Sequence, residues 1–158
     1  MEIRERLLGP SHPDVGTTTN NLGELYSAEA EFTKAEEMFA RALAIREKML
    51  GSDHPDVAVT LNNLAQVYKL LGKYSPAAQF LERSIGITEK SLGRSHPLYA
   101  TGLNNLAQVY AAQQRYKDAE KLMRQAVEIW EKALGPNHQD LASGLTNLSS
   151  IYLSLIHI

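Results

Sequence analysis

The chain has 158 residues, 44% hydrophobic and 22% charged, with a net charge of −2 and no cysteine. The balanced charge supplies no global basic field for nucleic acid or an anionic membrane. The missing cysteines remove disulfides, thiol catalysis and thiolate metal sites. No apolar run of about 18 residues and no signal-like opening segment occurs, so the expected setting is cytoplasmic.

Asn62-Asn63-Leu64-Ala65-Gln66-Val67-Tyr68 returns unchanged at Asn104–Tyr110. Close variants stand at Asn20–Tyr26 and Thr146–Tyr152, and the four closing tyrosines are each 42 residues apart. Self-similarity at such a period marks a repeat array, in which each unit packs only on its neighbours. In chain order, residues 1–9 align with 43–51 and are read as the end of a truncated preceding repeat. Repeats follow at 10–51, 52–93 and 94–135, and 136–152 forms the first helix of a fourth. Residues 153–158 resemble the translation of a sequencing-library adapter and read as a non-native tail; the alternative is that they finish that helix. With no polar-faced capping repeat at either end, Leu7, Leu8, Leu148, Ile151 and Tyr152 are expected to be open.

Gly9, Gly51, Gly93 and Gly135 each follow a leucine and close a helix, so a left-handed C-cap is expected there. Each connector then offers an N-cap residue type: Ser11, Asp53, Ser95 and Asn137. The first helix of each repeat is predicted to start near Pro13, Pro55, Pro97 and Gln139. Its buried stripe in the second repeat reads Leu61, Leu64, Ala65, Tyr68 and Leu71, one face of a helix. The second helix opens at Phe32, Tyr74 and Tyr116, with Thr33 and Ser75-Pro76 as N-cap signals. Its inward faces read Ala35, Met38, Phe39, Ala42, then Ala77, Phe80, Leu81, Ser84, then Ala119, Leu122, Met123, Ala126. Small residues there let the two helices approach, and large ones fill the gap to the next repeat. Trp130 aligns with Arg46 and Thr88, so it reads as surface cover rather than framework.

Two patterns suggest chemistry and do not support it. His12, His54, His96 and His138 recur once per repeat, hence on the order of 10 Å apart, whereas metal ligands must share an atom at about 2 Å. They are expected to be structural. Glu47, Glu89 and Glu131 recur on the second helix beside Lys48, Lys90 and Lys132, as a solvated face does. No nucleophile–histidine–carboxylate arrangement or phosphate loop stands out, so no enzyme and no cofactor are expected.

Leu22-Gly23, Tyr26, Phe32, Ala35, Phe39 and Ala42 at their spacing, with Leu64-Ala65, Tyr68, Gly72, Tyr74 and Ala77 after them, resemble the tetratricopeptide repeat. The usual period is about 34. The longer unit, with its Leu50-Gly51-Ser52-Asp53-His54-Pro55-Asp56 connector, is similar to the subclass typified by kinesin light chain and nephrocystin. The sequence departs from it in two places: Thr19, Leu61, Leu103 and Leu145 stand where an early tryptophan is frequent, and Gln139 replaces the connector proline.

The resemblance implies an all-α solenoid, a right-handed superhelix of antiparallel helix pairs whose first helices line a concave, peptide-binding groove. Carried over by position, the groove residues are Asn20, Asn21, Glu24, Asn62, Asn63, Gln66, Lys69, Asn104, Asn105, Gln108, Thr146, Asn147 and Ser150, with Thr17, Val59 and Thr101 at the margins. A side-chain amide both donates and accepts, so a ladder of Asn and Gln can pair with an extended peptide backbone. Alternatively one Asn of each pair bonds backbone within its own hairpin; which Asn meets ligand stays open. Arrays that grip a chaperone's terminal carboxylate use lysine and arginine at several of these positions, where this chain has Asn, Glu and Gln with Lys69 nearby at best. The expected function is a non-enzymatic scaffold for an extended segment of a partner protein. The alternative is a spacer or self-assembly arm that stacks through uncapped ends. Nucleic acid and membrane are not expected partners.

Overall fold

Pro13, Pro55 and Pro97 occupy the first helical position, where a missing N–H costs nothing. They open α1 (Pro13–Ala28), α3 (Pro55–Leu70) and α5 (Pro97–Ala112) in this computed structural model, which describes residues 6–156. Met1–Glu5, His157 and Ile158, and whatever the sequence suggested for them, lie outside the described residues. The paired helices are α2 (Phe32–Leu50), α4 (Tyr74–Leu92) and α6 (Tyr116–Leu134), and α7 (Gln139–Ile156) ends the series. Leu153–Ile156 continue α7 without a break.

The N-caps are not the residues expected. His12, His54 and His96 cap the first helices, their Nδ1 atoms accepting from the N–H of Asp14, Asp56 and Leu98 at 3.2, 3.1 and 3.1 Å. His138 does the same for Asp140 at 3.2 Å. The residue before a proline is driven to extended backbone, and these histidines have φ −68° to −78° and ψ 138° to 143°. That puts the imidazole, rather than Ser11, Asp53, Ser95 or Asn137, beside the orphan N–H groups of the first turn.

The turn into each second helix also differs from expectation. Thr33 and Ser75 lie inside α2 and α4, and Glu31, Lys73 and Arg115 stand at the caps without a side-chain bond that caps the helix. The turn is made by backbone. Ala30, Gly72 and Gln114 adopt positive φ (59°, 72° and 62°), and the next N–H reaches back to Tyr26, Tyr68 or Tyr110 O at 2.8 Å. This is the left-handed closure expected after the other helix. At Gly51, Gly93 and Gly135 φ is positive, but ψ is 155° to 170°, an extended region that belongs to glycine.

Hairpins α1–α2, α3–α4 and α5–α6 stack in order, and each second helix packs on the next first helix. Ala35, Ala42, Ala77, Ala119 and Ala126 are fully buried, so the helices approach closely. The large core residues Phe39, Leu81 and Met123 lie opposite Gly23, Ala65 and Ala107, sixteen residues earlier in each case. A Cβ on Gly23 would stand 2.7 Å from the Phe39 ring, so this large core ring needs the smallest partner. Leu61, Leu64 and Ala65 of the expected stripe are buried, whereas Leu71 is an exposed cap, 38% accessible.

Trp130 belongs to the core, which reverses the surface reading: it is 3% accessible, beside Arg46 at 7% and Thr88 at 5% in the equivalent places. The position is framework, and its variable residue type concealed that. Leu7, Leu8 and Tyr152 are exposed as expected, but Ile151 is buried at 4% against Ala107, Ala119 and Met123, and Leu148 is half-buried. The third hairpin covers that side of α7, so its open face is Leu145, Tyr152, Leu153 and Ile156 instead. Among the described residues no helix is long and apolar enough to cross a membrane.

Candidate functional site

The first helices touch side by side in the order α1, α3, α5, α7. Every residue proposed for binding lies on them. The asparagines that the sequence pairs along one helix are joined between helices. Asn63 Nδ2 reaches Asn20 Oδ1 at 3.5 Å, Asn105 Nδ2 donates to Asn62 Oδ1 at 2.8 Å, and Asn147 Nδ2 donates to Asn104 Oδ1 at 3.0 Å. Each rung spans 43 residues, one period plus one. The second Asn of a repeat therefore donates to the first Asn of the repeat before. Asn104 Nδ2 also donates to Asn105 Oδ1 at 3.0 Å, so Asn62, Asn105, Asn104 and Asn147 form one connected chain of amides. Bonding to backbone within the hairpin, the alternative read from the sequence, is not what these amides do.

The α1–α3 junction adds charge to this pattern. Asn20 is buried at 3% and donates to Glu24 Oε1 at 2.9 Å, which also accepts from Asn63 at 3.1 Å. Beneath them Arg46 donates to Thr60 Oγ1 at 2.7 Å and to Asp56 O at 2.9 Å. Thr60's own proton lies within reach of Asp56 O (3.1 Å) and Asn20 Oδ1 (3.4 Å). Burial pulls the Arg46 guanidinium below its usual range, while Asp56 and Glu24 oppose that shift. Sequence reading missed Arg46 and Thr60. Their signal was faint, because the same register holds Thr88 and Trp130, and Gly102 and Gly144, in later repeats.

At the next junction Lys69 Nζ donates to Gln108 Oε1 at 2.7 Å, and burial lowers its pKa. Gln108, Asn147 and Ser150 share a cavity of about 290 Å³ with Met123 and Ile151. Thr146 and Ser150 are exposed, their hydroxyls donating to Ala142 O at 2.9 Å and Thr146 O at 3.2 Å. Exposed Asn21 and half-buried Gln66 make no hydrogen bond through their side chains among the described residues. The thirteen residues thus divide. Asn20, Asn62, Asn63, Asn104, Asn105 and Asn147 spend part of their capacity joining repeats, whereas Asn21 and Gln66 keep all of theirs.

A stack of helical hairpins with a polar face of side-by-side first helices is an α-solenoid built on helix pairs. The tetratricopeptide repeat profile matches residues 1–48, 29–90 and 100–140, and the chain belongs to that family. Among solved structures, BtubC (BKLC) from P. vanneervenii superposes with TM-score 0.82 at 24% identity, over 91% of this chain and 58% of that one. A kinesin light chain-like protein of Podosopora anserina, with nearly identical TPR-like repeats, superposes with TM-score 0.79 at 27% identity, over 99% and 74%. The first TPR of Spaghetti (RPAP3), bound to the HSP90 peptide SRMEEVD, gives TM-score 0.68 at 16% identity, over 92% and 96%. No curated protein matches the chain in sequence at a significant level.

Proposed function

We propose that the chain is a non-enzymatic scaffold that holds an extended segment of a partner protein along the face of α1, α3, α5 and α7. The observation that carries this reading is the amide ladder. A rung uses one N–H and one lone pair, and an amide has two donors and an acceptor oxygen with two lone pairs. Asn20 and Asn105 are buried, but the half-buried Asn62, Asn104 and Asn147 keep donors or acceptors to spare for peptide groups, with Asn21 and Gln66 wholly available. Packing together the buried, satisfied part and the available part makes a rigid face that loses little entropy on binding. Glu24 and the half-buried Lys69 are its charged members, so a segment without strong net charge fits best.

The test is capture of partner proteins by the full chain and by Asn21→Ala/Gln66→Ala, which removes no bond that holds the fold. Equal helicity with loss of the captured protein in the double variant is the expected result. Retention of the same protein by both would count against this face. A second reading, an assembly arm, is favoured by the exposed Leu145 (47%), Leu153 (59%) and Ile156 (76%). For that reading Leu145→Lys should abolish self-association and leave partner capture intact.

A further inference from the structure

The register that carries Arg46 in α2 and Trp130 in α6 carries Thr88 in α4. Across each junction it faces Thr60, Gly144 and Gly102 respectively. Arg46 reaches Thr60 at 2.7 Å, and the Trp130 ring lies so close to Gly144 that a Cβ there would stand 2.8 Å from it. Both junctions are filled. At the α3–α5 junction both partners are small, and Gly102 is held to glycine by Ile85, whose Cγ1 a Cβ would meet at 2.8 Å. A slot of about 100 Å³ remains. Its floor is Ser84, Thr88 and Gly102, and its walls are Val59, Leu98 and Thr101.

We propose that this slot takes one aliphatic side chain, of valine to leucine size, from the segment bound along the first helices. The inference rests on the groove reading above and names what that groove selects. The volume is well below the roughly 300–1,000 Å³ of a small-molecule site. It is comparable with the ~150 Å³ apolar cavity that accepts one benzene. The hydroxyl protons of the lining are spent, and only Asn62 keeps free N–H groups: Ser84 Oγ donates to Ala58 O at 2.8 Å, Thr88 Oγ1 to Ser84 O and Ile85 O at 3.0 Å, and Thr101 Oγ1 to Pro97 O at 3.1 Å. No charged side chain lines the slot. A carboxylate or ammonium placed there would lose water and gain no counter-charge. The rim residues Val59 and Leu98 are 38% and 42% accessible, apolar surface that an entering side chain would cover. Asn62, at the slot's edge, accepts the rung from Asn105. A backbone paired with the ladder therefore passes the slot, and its alternating side chains send one residue inward while the two beside it point away.

Selection from displayed random peptides of about ten residues, on the native chain and on Thr88→Trp, tests this. The substitution copies the Trp130–Gly144 arrangement that the chain already tolerates, and circular dichroism checks that it stays helical. Peptides retained by the native chain should carry Val, Ile or Leu at one shared position, about tenfold or more above the starting library. Thr88→Trp should lose that preference while still retaining peptides. Should Thr88→Trp not fold, Val59→Asp at the exposed rim is expected to lose the preference in the same way. Peptides retained without an aliphatic position, or a preference that survives both variants, would overturn the slot and leave the groove standing. Retention of no peptide by the native chain would overturn both.

Discussion

At the scale of single residues, the recurring histidine has a role that metal chemistry does not explain. Each imidazole fills an N-cap through Nδ1, and the following proline or glutamine opens the helix. Loss of an N-cap side chain costs about 1 kcal/mol. His54→Ala should therefore lower the unfolding midpoint by a few degrees, with His54→Asn recovering most of it, in a thermal melt followed by circular dichroism. The signal for this was in the sequence. Ser11, Asp53, Ser95 and Asn137 vary, whereas histidine stands unchanged beside them in all four connectors. Capping preference pointed to the variable residues, because imidazole is not among the favoured types.

Tyrosines tie neighbouring repeats in a way that responds to pH. Tyr68 Oη donates to Glu36 at 2.6 Å, and Tyr110 Oη donates to Glu82 at 3.1 Å. The Glu36 hydrogen bond, with burial and the carboxylate charge behind it, raises the Tyr68 phenol above its ordinary value of 10.0. A raised folded-state pKa means that the unfolded chain ionises first as pH climbs. The stabilisation is whole below pH 10 and is lost as pH rises through the higher folded value. Denaturant melts should find the native chain more stable than Tyr68→Phe at neutral pH, with the difference shrinking above pH 10. A constant difference would contradict the Tyr68–Glu36 assignment.

At the scale of the helix, the period of 42 foretold which helices exist and where they start, because proline and glycine recur with it. It foretold less about what fills each junction. Arg46, Thr88 and Trp130 share one register, and their facing partners Thr60, Gly102 and Gly144 change with them. A residue type that varies between repeats reads as surface when its partner is unknown. Trp130 carries a cost as well, since its buried Nε1 finds no acceptor among the described residues. Removing the ring leaves a cavity beside Leu141 and Ala126, so Trp130→Ala should lose about 3–5 kcal/mol in denaturant unfolding. A loss within the scatter of surface substitutions, about 0.5 kcal/mol, would return Trp130 to the surface.

At the scale of the whole chain, the repeat made the solenoid legible and the asparagines made its polar face legible. The rungs were not legible. Their offset of 43 rather than 42 depends on how far each hairpin is staggered against the last, which side-chain packing at the junction sets. That offset makes the asparagines join repeats, and presenting amides to a partner is the second job proposed for them. Asn21, Gln66 and the slot beside Asn62 are thereby the parts with capacity to spare. The most direct measurement is a backbone-amide NMR footprint of a bound peptide on the labelled chain. The shifted amides are expected to run along α1, α3, α5 and α7, through Asn21, Gln66, Gln108 and Ser150. A footprint on α2, α4 and α6, or confined to Leu145, Tyr152 and Leu153, would contradict it.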